Sequence, residues 1–181
     1  MDSEFKKQFL DLQNKVNNLE KGTKDQMSMV VFSGDLDKLL AALIMATGAT
    51  AMDTEVKLFF TFWATAALRD KNKKVKGKNL ISKLFGAMLP KGSTKVKLSQ
   101  MNMMGMGTSM MKKLMKKNNV ASLEDMFKMA GELGVQINIC EMSMELMGLK
   151  KEEMIDYPNL NICGVATFLV DAEESKVQLF I

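Results

Sequence analysis

The sequence predicts a three-layer α/β/α domain on a mostly parallel five-stranded sheet, with an extra helix at the N-terminus. Three observations carry this. Short β-branched or aromatic runs alternate with segments of helical period, the pattern of a parallel sheet covered by its own crossovers. Residues 27–61 form one strand–helix–strand unit of the length a right-handed parallel crossover needs. The chain has 181 residues and 47% apolar content, enough for one well-buried domain plus an appendage.

The elements follow in order. Residues 3–20 place Phe5, Phe9, Leu12, Val16 and Leu19 at spacings of four and three, an apolar seam on one side of a helix. Two heptads do not make a stable isolated coiled coil. The helix packs either on its own domain or as an arm on another subunit. The expected division is an arm over residues 1–25 and an α/β domain over 26–181. Residues 27–32 read as the first strand, and Ser33-Gly34-Asp35 as a tight turn, with Asp35 capping a helix over 36–51. That helix is apolar or small almost all round, so it belongs in the core. Its apolar stretch, about fourteen residues, is short of the roughly 20 that span a bilayer, and no integral membrane segment is expected. Residues 55–61 are the second strand. Phe62 and Trp63 follow it, as core packing or as a pocket wall.

Residues 71–78 read as a solvated linker and 80–89 as a short amphipathic helix. Residues 95–115 are methionine-rich, and Met110, Met111 and Met115 carry the pattern into a helix. Ser122 is placed to cap a helix over 123–133, and Gly134 to end it. The third strand spans 135–140, a helix 143–149, a brief extended segment 158–163, a last helix 164–175, and the final strand 177–181.

Composition excludes several chemistries. There is no histidine, so Ser-His and Cys-His nucleophile pairs and histidine metal sites are ruled out. Two cysteines cannot close a tetrahedral structural zinc site or form a disulfide framework. Neither metal nor cofactor is expected. The opening Met-Asp-Ser-Glu-Phe-Lys-Lys has no secretory pattern, and the expected compartment is the cytoplasm with reduced thiols. The net charge of +4 gathers in lysine clusters over 71–78 and 112–117. These read as solvated surface or as a dock for an acidic partner. Without interleaved aromatics or a binding motif they do not indicate nucleic acid. A basic amphipathic stretch over 110–117 leaves peripheral membrane contact open.

Seven methionines fall within residues 101–115, punctuated by Gly105 and Gly107. Three readings stand: adaptable core filler, a flexible lid or partner surface, or a thioether copper site. The glycines match neither a dinucleotide fingerprint nor a P-loop. Ser33, Gly34, Phe62, Trp63, Asn102, Gly105, Gly107 and Thr108 are the candidates to line a pocket or form its lid.

The chemistry centres on Cys140. It ends a strand just ahead of a helix, where the helix field and free N–H groups favour thiolate over thiol. In open α/β sheets this edge is also where ligands bind. The bland alternative is a small buried apolar residue. Cys163 shares the context, with a stronger claim to be packing. A disulfide between them needs Cα atoms within about 7 Å, which sequence leaves open.

Several stretches carry a resemblance. They are residues 31–38 (Val-Phe-Ser-Gly-Asp-Leu-Asp-Lys), 59–63 (Phe-Phe-Thr-Phe-Trp), 101–103 with 105–107, 140–144 (Cys-Glu-Met-Ser-Met) and 164–168 (Gly-Val-Ala-Thr-Phe). Over 27–181 the chain resembles the DsrE/DsrF/DsrH-like sulfur-trafficking family, in the subgroup often labelled peroxiredoxin. The residues do not support that label: Ile137 stands three before Cys140 where a peroxidatic site has Thr or Ser, and the chain's arginine, Arg69, is in another segment. The resemblance implies a flavodoxin-like fold, homo-oligomers and a persulfide carried on Cys140. It implies sulfur donor and acceptor proteins, rhodanese- or TusA-like. Backbone N–H groups around Met142, Ser143 and Met144 are expected to hold the persulfide anion, with the Ser143 hydroxyl as a further donor. Cys163 lies outside the family motif and stands as a possible second thiol. Two other functions compete: a non-catalytic interaction module, and a thiol–disulfide oxidoreductase using Cys140 and Cys163. The 22 residues between the cysteines count against the latter.

Overall fold

The structure, a computed structural model, describes residues 3–22, 24–73, 75 and 80–181. The predicted linker lies partly outside the described residues, at 74 and 76–78, as does the side chain of Leu19. Helix α1 (Ser3–Gly22) precedes strand β1 (Lys24–Val31), which begins three residues before its predicted start. Then come α2 (Leu36–Thr50), β2 (Glu55–Phe60), α3 (Leu80–Met88), α4 (Met106–Lys117) and α5 (Leu123–Glu132). The last part is β3 (Gln136–Cys140), α6 (Glu141–Leu146), β4 (Leu160–Cys163), α7 (Val165–Glu174) and β5 (Ser175–Phe180). A 3-10 helix, Phe62–Leu68, forms over Phe62, Trp63 and the small residues that follow them.

The five strands form one sheet in the order β4-β3-β2-β1-β5, and every pairing is parallel. The chain steps from β1 to β4 in one direction and then returns to lay β5 beside β1. Parallel crossovers are right-handed. The earlier connections therefore pack on one face, and the reversal carries α7 to the other.

The two faces differ in chemistry because strand side chains alternate. One face presents Met27, Met29, Val31, Val56, Leu58, Phe60, Ile137 and Ile139, all buried with Leu36, Leu39 and Leu43 of α2. Phe60 meets Phe127 of α5, with centroids 6.1 Å apart. The opposite face, under α7, carries Ser28, Lys57, Phe59, Asn138 and Cys140.

Local signals set the ends of the elements. Ser122 caps α5 in a reciprocal box: its hydroxyl accepts from the Asp125 N–H, and its own N–H donates to the Asp125 carboxylate. Gly134 follows at φ 81, a value that favours glycine. Asp35 occupies the N-cap of α2 but does not cap it through its side chain. Its carboxylate instead accepts the Ser33 hydroxyl at 2.7 Å. The Leu36 N–H is satisfied by the Lys97 carbonyl at 2.8 Å. Helix α6 starts two residues before its predicted start, so Cys140 is itself the N-cap.

Candidate functional site

Cys140 and Cys163 end β3 and β4 and are direct register partners. One step upstream on the same face, the Asn161 side-chain amide donates to the Asn138 side-chain oxygen at 3.4 Å. Residues 138 and 161 therefore point to one face, and residues 140 and 163 do so again two positions later. Cys140 is buried, with 4% of its surface exposed, and Cys163 is partly exposed.

A polar layer leads to the cysteines. The Lys57 ammonium pairs with Asp171 of α7 at 2.7 Å. Asn138 donates to the other Asp171 oxygen at 3.4 Å and accepts from Gln136 at 2.9 Å. Gln26 donates to the Asp171 carbonyl at 2.8 Å and to Ser175, which lies 2.8 Å from Ser28. Above the layer, Phe59 packs on Phe168 with centroids 5.3 Å apart. Burial disfavours the Lys57 ammonium, but Asp171, with help from Glu55, overrides this and holds its pKa above the ordinary value. Burial raises the Cys163 thiol. A hydrogen bond with the Thr167 hydroxyl works against that, while negative charge at Asp171, Cys140 and Glu141 adds to it.

The predicted site residues divide into three places. Ser33, Gly34, Phe62 and Trp63 gather at the same C-terminal edge of the sheet as Cys140. A side-chain carbon on Gly34 would lie 2.5 Å from the Trp63 carbonyl oxygen, so glycine lets the loops after β1 and β2 touch. Phe62 packs against Phe32 in a tilted pair, with centroids 5.4 Å apart, while Trp63 is half exposed. Ser143 is fully buried, and its hydroxyl pairs with Thr61 at 2.8 Å. Met144 is buried in the core and Met142 is exposed. The first N–H groups of α6 still lack carbonyls one turn earlier in their own helix.

Asn102, Gly105, Gly107 and Thr108 form the methionine loop rather than the cysteine pair. Thr108 accepts from the Leu98 N–H at 3.0 Å and donates to the Asn102 side-chain oxygen at 2.7 Å. Gly107 lets the helix start pass under the Met101 carbonyl, which would lie 1.9 Å from any added Cβ. Met101, Met103 and Met104 have positive φ, uncommon for side chains of this kind. The loop and α4 form a groove of 540 Å³ lined by Met101, Met103, Met106, Met110 and Met111. The lining of that groove does not include Cys140.

Sequence reasoning missed Lys57, Asn138, Thr167 and Asp171. Their signal was an inverted alternation. Lys57, Gln136, Asn138 and Asn161 put polar side chains at every second strand position, on the face that ends in the two cysteines.

Fold and site together define a parallel α/β domain with paired thiols at the C-terminal edge of its sheet. The chain belongs to the DsrE/DsrF/DrsH-like family, whose model matches residues 23–180. It is 47% identical over 154 residues to YrkE of Bacillus subtilis strain 168, described as an uncharacterized protein. That match covers 85% of this chain and 95% of YrkE. It is 32% identical over 163 residues to the sulfur carrier protein DsrE2 of Allochromatium vinosum, covering 86% of this chain and 98% of DsrE2. Among solved structures it resembles the E. coli ychN protein in fold, with a TM-score of 0.50 at 12% identity, over 86% of this chain and 98% of that one.

Proposed function

We propose that this protein is a sulfur carrier or sulfurtransferase that holds sulfane sulfur as a persulfide on Cys140. The observation that carries the reading is the position of Cys140, ending an inner strand at the C-terminal edge of a parallel sheet, the edge where ligands bind in open α/β sheets. The likeness to the carrier DsrE2 supports sulfur trafficking as the role. The Cys140 thiolate attacks the outer sulfur of a donor persulfide, and the donor leaves as a thiolate. An acceptor thiolate later takes the same sulfur. The N–H groups at the start of α6, from Glu141 to Ser143, face the persulfide anion. Burial of Cys140 keeps the reactive sulfur from solvent and oxidants. The reading places the protein among rhodanese- or TusA-like donor and acceptor proteins in a reducing compartment such as the cytoplasm, and as a homo-oligomer. Among the described residues, no helix is long and apolar enough to cross a membrane.

The test is intact mass after anaerobic exposure to glutathione persulfide. A gain of about 32 Da that dithiothreitol removes and that maps to Cys140 is expected. Loading that survives Cys140→Ser at the wild-type level would refute the assignment.

A further inference from the structure

Cys163 has no part in the carrier step above, yet it is held directly across from Cys140. Neighbouring strands run about 4.8 Å apart, and these residues are Cα partners on one face. Disulfides form at Cα separations of about 4.4–6.8 Å. The 22-residue gap in sequence is therefore no obstacle. Both thiols are free, and Cys163 is partly exposed.

We propose that Cys163 resolves the Cys140 persulfide, converting carried sulfane sulfur into hydrosulfide. The proposal rests on Cys140 being the carrier. The Cys163 thiol loses its proton and its sulfur attacks Sγ of Cys140, the inner sulfur of the persulfide. The Sγ–Cys163 bond forms as the bond to the outer sulfur breaks, and the outer sulfur departs with the electron pair. It takes up the proton released by Cys163. The persulfide anion and one thiol thus become a Cys140–Cys163 disulfide and HS⁻. The outer sulfur is reduced by two electrons, and the two cysteine sulfurs are oxidised by one each. A dithiol reductant then returns both thiols for the next cycle.

This makes the site a branch point. An acceptor thiolate that arrives first receives sulfane sulfur intact. Without one, Cys163 releases the sulfur as sulfide and leaves the protein oxidised. The attacking thiol sits about one strand spacing away, so resolution needs no partner protein, whereas acceptor transfer is concentration-dependent.

The experiment uses the full chain and its Cys163→Ser and Cys140→Ser variants. Each is loaded anaerobically with glutathione persulfide, desalted, and followed by intact mass, peptide mapping and sulfide assay. Cys163→Ser should keep the adduct of about 32 Da on Cys140. Wild type should lose it at least about tenfold faster, release about one equivalent of sulfide and yield a linked Cys140–Cys163 peptide. Wild-type adduct as long-lived as that of Cys163→Ser, with no linked peptide, overturns the proposal and leaves the carrier reading intact. Failure of Cys163→Ser to load at Cys140 overturns both. If the serine variant does not fold, Cys163→Ala replaces it, and the wild-type linked peptide and sulfide yield decide alone.

Discussion

The Cys163 thiol is pulled in two directions. Burial and the negative charge of Asp171, Cys140 and Glu141 disfavour its thiolate, and the Thr167 hydroxyl favours it. Burial wins, and its pKa stands above the ordinary 9.0. Of this group, Asp171 is neutralised by Lys57 at 2.7 Å. At neutral pH Cys163 is therefore mostly protonated, and its nucleophilicity grows as pH rises toward that raised value. Iodoacetamide alkylation of Cys163 in a Cys140→Ser background should show a rate midpoint above that of a free cysteine. Thr167→Val should move the midpoint further up by removing the opposing hydrogen bond. A midpoint below the free value would mean the thiol is set by the start of α7 rather than by burial.

Helix α7 is tied to the sheet by polar bonds more than by apolar packing. Asp171 alone meets Lys57 and Asn138 through its carboxylate and Gln26 through its carbonyl. Removing one partner leaves a charge in a mostly buried place. Lys57→Met should therefore destabilise the fold by about 3 kcal/mol in urea unfolding. Pairing it with Asp171→Leu should recover most of that loss, because no unmatched charge remains. Full additivity of the two losses would show that the pair is not coupled. The raised Lys57 pKa adds a pH signature. Its contribution is complete below the ordinary 10.5 and disappears as pH rises through the folded-state value. The methionine loop is the opposite kind of element, fastened by Asn102, Thr108 and Gly107 while Met101, Met103 and Met104 stay exposed.

At the scale of the whole molecule, two of the exposed apolar surfaces among the described residues lie away from the methionine loop, on α7 with β5 and on α1. Val165, Leu169 and Val170 of α7 and Phe180 of β5 are exposed, and so is the seam of Phe5, Phe9, Leu12 and Val16 on α1. Patches of this kind mark association surfaces. The homo-oligomer reading takes both as contacts between copies of the chain. Sedimentation of the wild type should give a multiple of 20.2 kDa. Leu169→Glu should lower that multiple if the α7 surface is the contact, and Phe9→Glu with Leu12→Glu should do so if the arm is. A wild-type monomer at micromolar concentration would end the oligomer reading.

The sequence was most legible where a local rule acts alone. The β-branched runs, the helical seams, Ser122 as a cap and Gly134 as a stop set the five strands and most helix positions to within a few residues. The asymmetry of the two faces was written in the alternation of Lys57, Asn138 and Asn161, though it becomes meaningful only beside its partners. Asp35 departed from expectation because the Ser33 hydroxyl, fixed by the turn, competes for its carboxylate. The partner of the Ser143 hydroxyl, Thr61, lies 82 positions away and no local rule names it.

By itself the sequence determined a parallel α/β sheet, Cys140 at the end of one of its strands, and the family that such stretches mark. Only the tertiary structure decided that Cys163 stands beside Cys140 and that Asp171 of α7 pairs with Lys57. The physical reason is that strand order, register and the return of the chain to β5 are set by how whole faces pack. Residues 23 or 114 positions apart become neighbours only once that packing is complete.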